Sequence, residues 1–283
     1  MQPLMLTPDN YYSREANTAY MSASQMKTFM TCEAAALAEL RGEWERETST
    51  ALLVGSYVDA YFSDELKQFK EQHPEIFLKN GDLKSDYRNA ENIIQRIERD
   101  PLFMAMLSGQ KQIICTGSIV GVPFKCKLDC LLSEHDCEWI ANDFPGMAPF
   151  LAYQSSAIVD MKIMKDFKAI WQPGIGRISF IEAWRYDMQL AIYQEIKGGR
   201  LPCFIAGATK EPEPNIDVFY FQQADLDAVM REVEELAPRY AAIKAGRIEP
   251  VPCGQCNYCR TKKVLERPVD YKLDSEVYGN ENS

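Results

Sequence analysis

One stretch constrains this chain more than any other: Ala157-Ile158-Val159-Asp160-Met161-Lys162-Ile163-Met164. It reads as a buried strand, apolar except for one carboxylate and one ammonium two positions apart. Side chains alternate across a strand, so Asp160 and Lys162 share one face while Val159, Met161 and Ile163 share the other. Burying both charges in an apolar strand costs several kcal/mol unless each finds a partner or a metal. A same-face ion pair at a sheet end would satisfy them. The rest of the chain offers a second reading.

With 283 residues, 46% of them hydrophobic, the chain can build a sizeable core. No apolar run reaches the roughly 18 residues of a membrane span. Met1 to Asn10 lacks the basic and apolar regions of a secretory signal, so a cytoplasmic location is expected. A net charge of −10 argues against broad, sequence-independent coating of nucleic acid. It leaves room for a local basic groove, and part of the acidity can be ligands. Cysteines in such a chain are not expected to form a disulfide framework. Cys32, Cys115, Cys126, Cys130, Cys137 and Cys203 are scattered singly and read as small buried hydrophobes, whereas Cys253, Cys256 and Cys259 lie together.

Ser22, with Gln25 three residues on, marks the start of a helix carrying Met26, Phe29 and Leu37 inward and stopping near Gly42. Thr50 to Phe62 reads as a largely buried helix whose one charge is Asp59, and Leu83 to Arg99 as an amphipathic helix. Lys111 to Val120 and Pro123 to Leu132 read as antiparallel strands joined at Gly121. Phe124, Cys126, Leu128 and Cys130 would share one face, and Lys125, Lys127 and Asp129 the other. Residues 133–155 show no clear period and read as a long loop. His135, Asp136 and Cys137 within it have poor spacing for a metal. Phe167 to Arg177 reads as a loop whose G-x-G lacks the context of a dinucleotide fingerprint. Ser179 to Ile196 reads as a helix with Tyr186, Gln189 and Tyr193 on one stripe. Two strands (Cys203 to Thr209, Ile216 to Phe221) and a long helix (Ala224 to Ala245) follow. The expectation is an α/β fold with a short mixed sheet flanked by helices and preceded by an N-terminal helical region. Residues 1–268 would form a single domain, and 269–283 a polar tail.

Asp129 on one strand and Asp160 on the next, with Lys162 beside it, suit a site for Mg²⁺ or Mn²⁺. Such ions take hard oxygen ligands and usually bind through only a few carboxylates. A lysine near the attacking water can position it or accept its proton. Gly55-Ser-Tyr-Val-Asp59, Lys127-Leu-Asp129, Ile158-Val-Asp160-Met-Lys162 and Gln189-Leu-Ala-Ile-Tyr193, in that order, resemble the PD-(D/E)xK nuclease superfamily. The match is to its RecB/RecE-like, exodeoxyribonuclease VIII-like branch, often found in phages and prophages. The resemblance covers roughly Ser22 to Cys259. It implies a restriction-endonuclease-like core and a metal-dependent DNA exonuclease that processes duplex ends for phage-type recombination. It further implies Asp59, Asp129, Asp160 and the Met161 backbone carbonyl as metal ligands, and Lys162 as the catalytic lysine. Gln189 and Tyr193 would border the DNA cleft. Asp59 departs from the branch, which often has His there.

Pro252-Cys253-Gly-Gln-Cys256-Asn-Tyr-Cys259 is hard to explain as packing and favours a soft metal. By the same resemblance Cys32 is the fourth ligand of a [4Fe–4S] cluster that ties the chain ends together; Zn²⁺ and free thiols are the alternatives. DNA is the implied partner, held by Lys125, Lys127, Lys165, Lys168 and Arg177. A single-strand annealing protein and a ring-shaped homo-oligomer are further expectations. The competing reading is a catalytically inactive nucleic-acid-binding protein on the same fold, stabilised by a metal–thiolate site.

Overall fold

The computed structural model describes residues 4–45, 50–172, 174–265 and 268; the tail expected at 269–283 lies outside them. Ser13 caps the first helix, α1 (Arg14–Ala19), and Ser22 caps α2 (Ala23–Thr31), accepting from the Gln25 N–H at 3.3 Å. The single helix expected from Ser22 to Gly42 is in fact two. Cys32 is extended (φ −164°), ends α2 and starts α3 (Glu33–Arg41), its sulfur accepting from the Ala35 N–H. A side chain that caps a new helix stops the old one, and Gly42, at φ +71°, closes α3. There follow α4 (Thr50–Phe62), α5 (Leu66–Gln72), α6 (Ser85–Glu98) and α7 (Pro101–Met106).

The hairpin β1 (Gln110–Ile119) and β2 (Val122–Ser133) turns at Gly121 as expected. Residues 133–155 are not a loop: they form α8 (Glu134–Asp143), a 3-10 turn at Pro145–Met147, and α9 (Ala148–Leu151). The overlooked signal is a capping box between Ser133 and Asp136, followed by buried Cys137, Ile140 and Ala141 at helical spacing. Asp136 is therefore occupied by its cap. After β3 (Ser156–Met164), the expected loop contains a small hairpin of β4 (Ile170–Gln172) and β5 (Gly176–Ile178), turned by Gly174 and Gly176 at positive φ. The helix expected from Ser179 to Ile196 is split into α10 (Phe180–Ala183) and α11 (Tyr186–Lys197) by Arg185 in the left-handed region at φ +52°. Arg185 is held there by ion pairs to Asp187 and Glu232. Then come β6 (Cys203–Thr209), β7 (Ile216–Tyr220), α12 (Gln223–Lys244) and α13 (Asn257–Lys262).

The main sheet runs β1-β2-β3-β6-β7, with β3 and β6 parallel and the other neighbours antiparallel. On one face Tyr57, Ile93, Phe103 and Ile140 pack with Val159, Met161 and Phe204. On the other, Leu190 and Leu226 pack with Ile158 and Ile205, while Met26, Phe29 and Phe124 pack with Met188, Ile192 and Val233. Each such side chain contributes about 1.5–3 kcal/mol when fully buried. No helix among the described residues is long and apolar enough to cross a membrane.

Glu33 clasps the chain ends: it takes two hydrogen bonds from Arg239 of α12 (2.6 and 2.8 Å) and one from the Val251 N–H (2.8 Å). These donors, Arg239 foremost, outweigh burial and hold the Glu33 carboxyl below its usual range. A depressed carboxyl contributes stability above the unfolded pKa of about 4.3 and loses it as pH falls through the folded value. Urea melts of Glu33→Gln are therefore expected to show a deficit against the native chain at pH 7 that shrinks below about pH 4. At the start of β1, an added Cβ on Gly109 would stand 2.3 Å from the Leu131 carbonyl oxygen, whereas Gly146 has open space. Gly109→Ala is expected to cost about 1–3 kcal/mol in thermal melts, and Gly146→Ala to be near neutral.

Candidate functional site

Strand β2 changes face at Asp129. Cys126 and Leu128 pack towards α11, but Cys130 and Leu132 pack on the opposite side with α4 and α6, so the single face expected for Phe124 to Cys130 is divided. The cause lies in the ladder. Pairing to β1 runs through Ile113↔Leu128 and resumes at Lys111↔Cys130, and the residue between, Gln112, has φ +53°. Pairing to β3 ends at Cys130↔Val159, and one further step of that register would set Asp129 opposite Asp160. There the Asp129 carboxylate takes over from backbone, its Oδ2 accepting from the Met161 N–H at 3.0 Å. The parting of the strands thus brings two carboxylates to one ammonium, that of Lys162.

Asp160, only 1% exposed, forms an ion pair with Lys162, whose Nζ lies 3.9 Å from Asp129 Oδ2 and 3.3 Å from the Met161 carbonyl oxygen. Asp160 Oδ1 accepts from Gln189 Nε2 at 2.8 Å, and the same amide nitrogen lies 3.0 Å from the Tyr193 hydroxyl. Gln189 thus contacts the buried carboxylate directly and Tyr193 through Gln189, and both side chains also line a cleft. Sequence reasoning missed Lys27. From the middle of α2 its Nζ donates to Gln189 Oε1 (3.2 Å), which directs the amide nitrogen at Asp160. Lys27 and Lys162 both lie near the Tyr186 ring, at 5.1 and 5.7 Å from its centroid. Burial, then repulsion from Lys162, lowers the Lys27 pKa to about 8.

Burial raises the Asp129 carboxyl well above its ordinary range, with Asp160 adding to the rise. Burial also raises Asp59, against the pull of Lys162 and Lys127. For Lys162 the burial penalty is overcome by Asp160 and Asp129, which push its pKa up. Asp59, Gln112, Lys127, Asp129, Gln189 and Tyr193 line one cleft of roughly 200 Å³; Asp59 and Asp129 also border a second with Met161, Lys162 and Tyr186. Lys125 is no phosphate contact. The N-terminal segment covers β2 through a Met21↔Phe124 bridge, leaving Lys125 1% exposed and donating to the Tyr11 carbonyl and to Asn17 Oδ1 (2.8 Å).

The carboxylates form a looser set than the thiols: among the described residues, no carboxylate trio has ligand atoms all within 4.8 Å. Among the described residues one buried oxygen, Gln112 Oε1, nonetheless accepts no hydrogen bond, whereas Asp160 Oδ2 is met by the Lys162 ammonium. The Asp59 and Asp129 carboxylates and the Gln112 amide border one cleft, and such hard oxygens are what Mg²⁺ or Mn²⁺ takes.

The four cysteines do converge, with ligand atoms within 4.8 Å of one another. Cys32 Sγ lies 3.6 Å from Cys259 Sγ, and Cys253 Sγ 3.9 Å from Cys259 Sγ. Burial would raise Cys253, but N–H donors of Cys256 and Gln255 prevail and bring it down to about 6; burial lifts Cys259 to about 12. Four thiol donors around one point fit a soft metal.

No curated protein matches the chain. It is similar to a putative exonuclease from Eubacterium rectale solved by crystallography, with 41% identity, a TM-score of 0.84, and coverage of 98% of this chain and 100% of that one. Residues 22–138 and 146–262 match the model of a PDDEXK-like domain of unknown function (DUF3799). The first matched segment contains Asp129 and the second Asp160 and Lys162, which meet at the split between β2 and β3, and the chain belongs to this PDDEXK-like family.

Proposed function

We propose that this protein is a Mg²⁺- or Mn²⁺-dependent DNA exonuclease that trims duplex ends, as recombination requires. The observation that carries this reading is the meeting of Asp129 and Asp160, from adjacent strands, at the Lys162 ammonium. Asp129 and Asp160 would hold the divalent ion, with Asp59 and the Met161 carbonyl at its margin. The ion would supply charge stabilisation at the phosphate and acidify a water. Lys162, kept protonated by its two carboxylate neighbours, orients the attacking water and the scissile phosphate by donating hydrogen bonds. Gln189, fixed by Lys27, holds one oxygen of Asp160 while Lys162 pairs with the other.

The β4–β5 hairpin supports DNA as the substrate. It follows the strand that bears Asp160, and Lys165, Lys168 and Arg177 are exposed along it. Trp171, 64% exposed, is the cross-strand partner of Arg177, so a stacking ring and a phosphate-binding fork share one face.

The thiolate centre is a structural staple between α2–α3 and α13. A single tetrahedral Zn²⁺ with Zn–S of about 2.3 Å holds its sulfurs about 3.8 Å apart. The spacings of 3.6 and 3.9 Å favour it over the [4Fe–4S] cluster that the family resemblance implies, in which each thiolate binds a different iron and the sulfurs stand farther apart.

Linear duplex DNA is expected to be degraded with Mg²⁺ or Mn²⁺ and not in chelator. Asp160→Ala should abolish degradation, Lys162→Met lower kcat by about 10²–10⁴-fold, and Gln189→Ala by about 10–100-fold. Native protein that binds DNA without degrading it would establish the inactive binding protein instead. Elemental analysis of the purified chain should give zinc, lost in Cys259→Ser together with melting temperature; bound iron with visible absorption would identify a cluster.

A further inference from the structure

We infer that Gln112 supplies a neutral oxygen ligand to the hydrated cation of the carboxylate cleft. This rests on the metal-dependent reading above and names a residue that the family motif does not contain. Three observations converge on it.

Gln112 is a non-glycine residue in the left-handed region, at φ +53°, in the interior of a strand. A single such residue costs of order 1–3 kcal/mol and persists only where its surroundings impose it. Its place in the ladder is the second observation. It is the one position skipped between Ile113↔Leu128 and Lys111↔Cys130, so it stands across from Asp129, where β2 changes face. The strain on β1 and the exit of Asp129 from the sheet are two sides of one distortion.

The third is the amide itself. Ser63, just beyond α4, accepts from Gln112 Nε2 at 2.9 Å. The other end, Oε1, is buried and accepts nothing. An unmet buried carbonyl costs about 1–3 kcal/mol and calls for a donor or a cation. Gln112 lines the cleft with Asp59, Asp129 and Lys127. Its neighbours there supply carboxylates whose charge an amide oxygen would not increase, and Mg²⁺ and Mn²⁺ take neutral oxygens and waters alongside one or two carboxylates. The Lys127 ammonium does not meet the need, because it is turned onto the Tyr12 ring, 5.1 Å from its centroid.

The test is calorimetric titration of the full chain with Mn²⁺ in the absence of DNA, comparing native protein, Gln112→Ala, Gln112→Glu and Gln112→Gly. Gln112→Ala should weaken Mn²⁺ binding by about 10–100-fold, and Gln112→Glu should restore it. Gln112→Gly should lose the same affinity while melting no lower than the native chain, because glycine relieves the left-handed backbone. That combination separates a ligand from a merely structural residue, whose loss would lower stability without touching metal affinity. Mn²⁺ affinity unchanged in both Gln112→Ala and Gln112→Gly overturns the inference and leaves the nuclease reading intact. Native protein that binds no Mn²⁺ and degrades no DNA overturns both.

Discussion

The ion pair of Asp160 and Lys162 is the constraint around which this molecule is arranged. A carboxylate that is 1% exposed is tolerable only with its oxygens accounted for, and each partner comes from a different part of the chain. Lys162 sits two residues on along β3, Gln189 comes from α11, and Lys27 reaches in from α2 to orient Gln189. The N-terminal helices, the crossover helix and the central strand are therefore tied by one polar network as well as by apolar packing. Such networks rigidify when complete and are costly when broken, because each member has been withdrawn from water.

The distortion opposite Asp160 follows from the same constraint. Two carboxylates on neighbouring strands repel when their strands stay in register, and the ladder between β2 and β3 stops one step before they would meet. Asp129 is instead anchored to the Met161 N–H and balanced by Lys162. On its far side β1 follows the bend through the unusual backbone of Gln112. The thiolate staple joins this arrangement through α2: Lys27 lies mid-helix and Cys32 ends it, so one short helix separates the soft-metal ligands from the brace on Gln189.

Much of this was legible in the sequence, for physical reasons. Strand alternation placed Asp160 and Lys162 on one face, an apolar helix carried Asp59, and the order of motifs marked Gln189 and Tyr193. What failed was whatever depends on neighbours distant in the chain. Alternation put Lys125 beside Lys127 but could not say that the Tyr11–Met21 segment would cover it, turning a candidate phosphate contact into a buried support. Periodicity ran through Cys32 and Arg185 because neither is a glycine or a proline; a thiol cap stops one helix and a doubly paired arginine in the left-handed region stops the other. Helix α8 was overlooked although its capping box, Ser133 with Asp136, is plain in the sequence. Lys27 and Gln112 carried no local signal, since their roles exist only where separate segments meet.

The acidic balance of the chain also becomes intelligible once charges are placed. A net charge of −10 repels a polyanion over most of the surface. Lys165, Lys168 and Arg177 nonetheless lie exposed on the segment that leaves the Asp160 strand, and Lys127 and Lys162 each border one of the two clefts that share Asp129. On the proposed reading, an acidic body with a basic segment beside the clefts would disfavour lengthwise coating of DNA and favour encounter near them, an effect that salt weakens within a Debye length of about 8 Å at physiological ionic strength. For the exonuclease proposed above, which would have to find strand ends among a large excess of duplex interior, weak affinity elsewhere would be an advantage, because less time would be lost to unproductive binding.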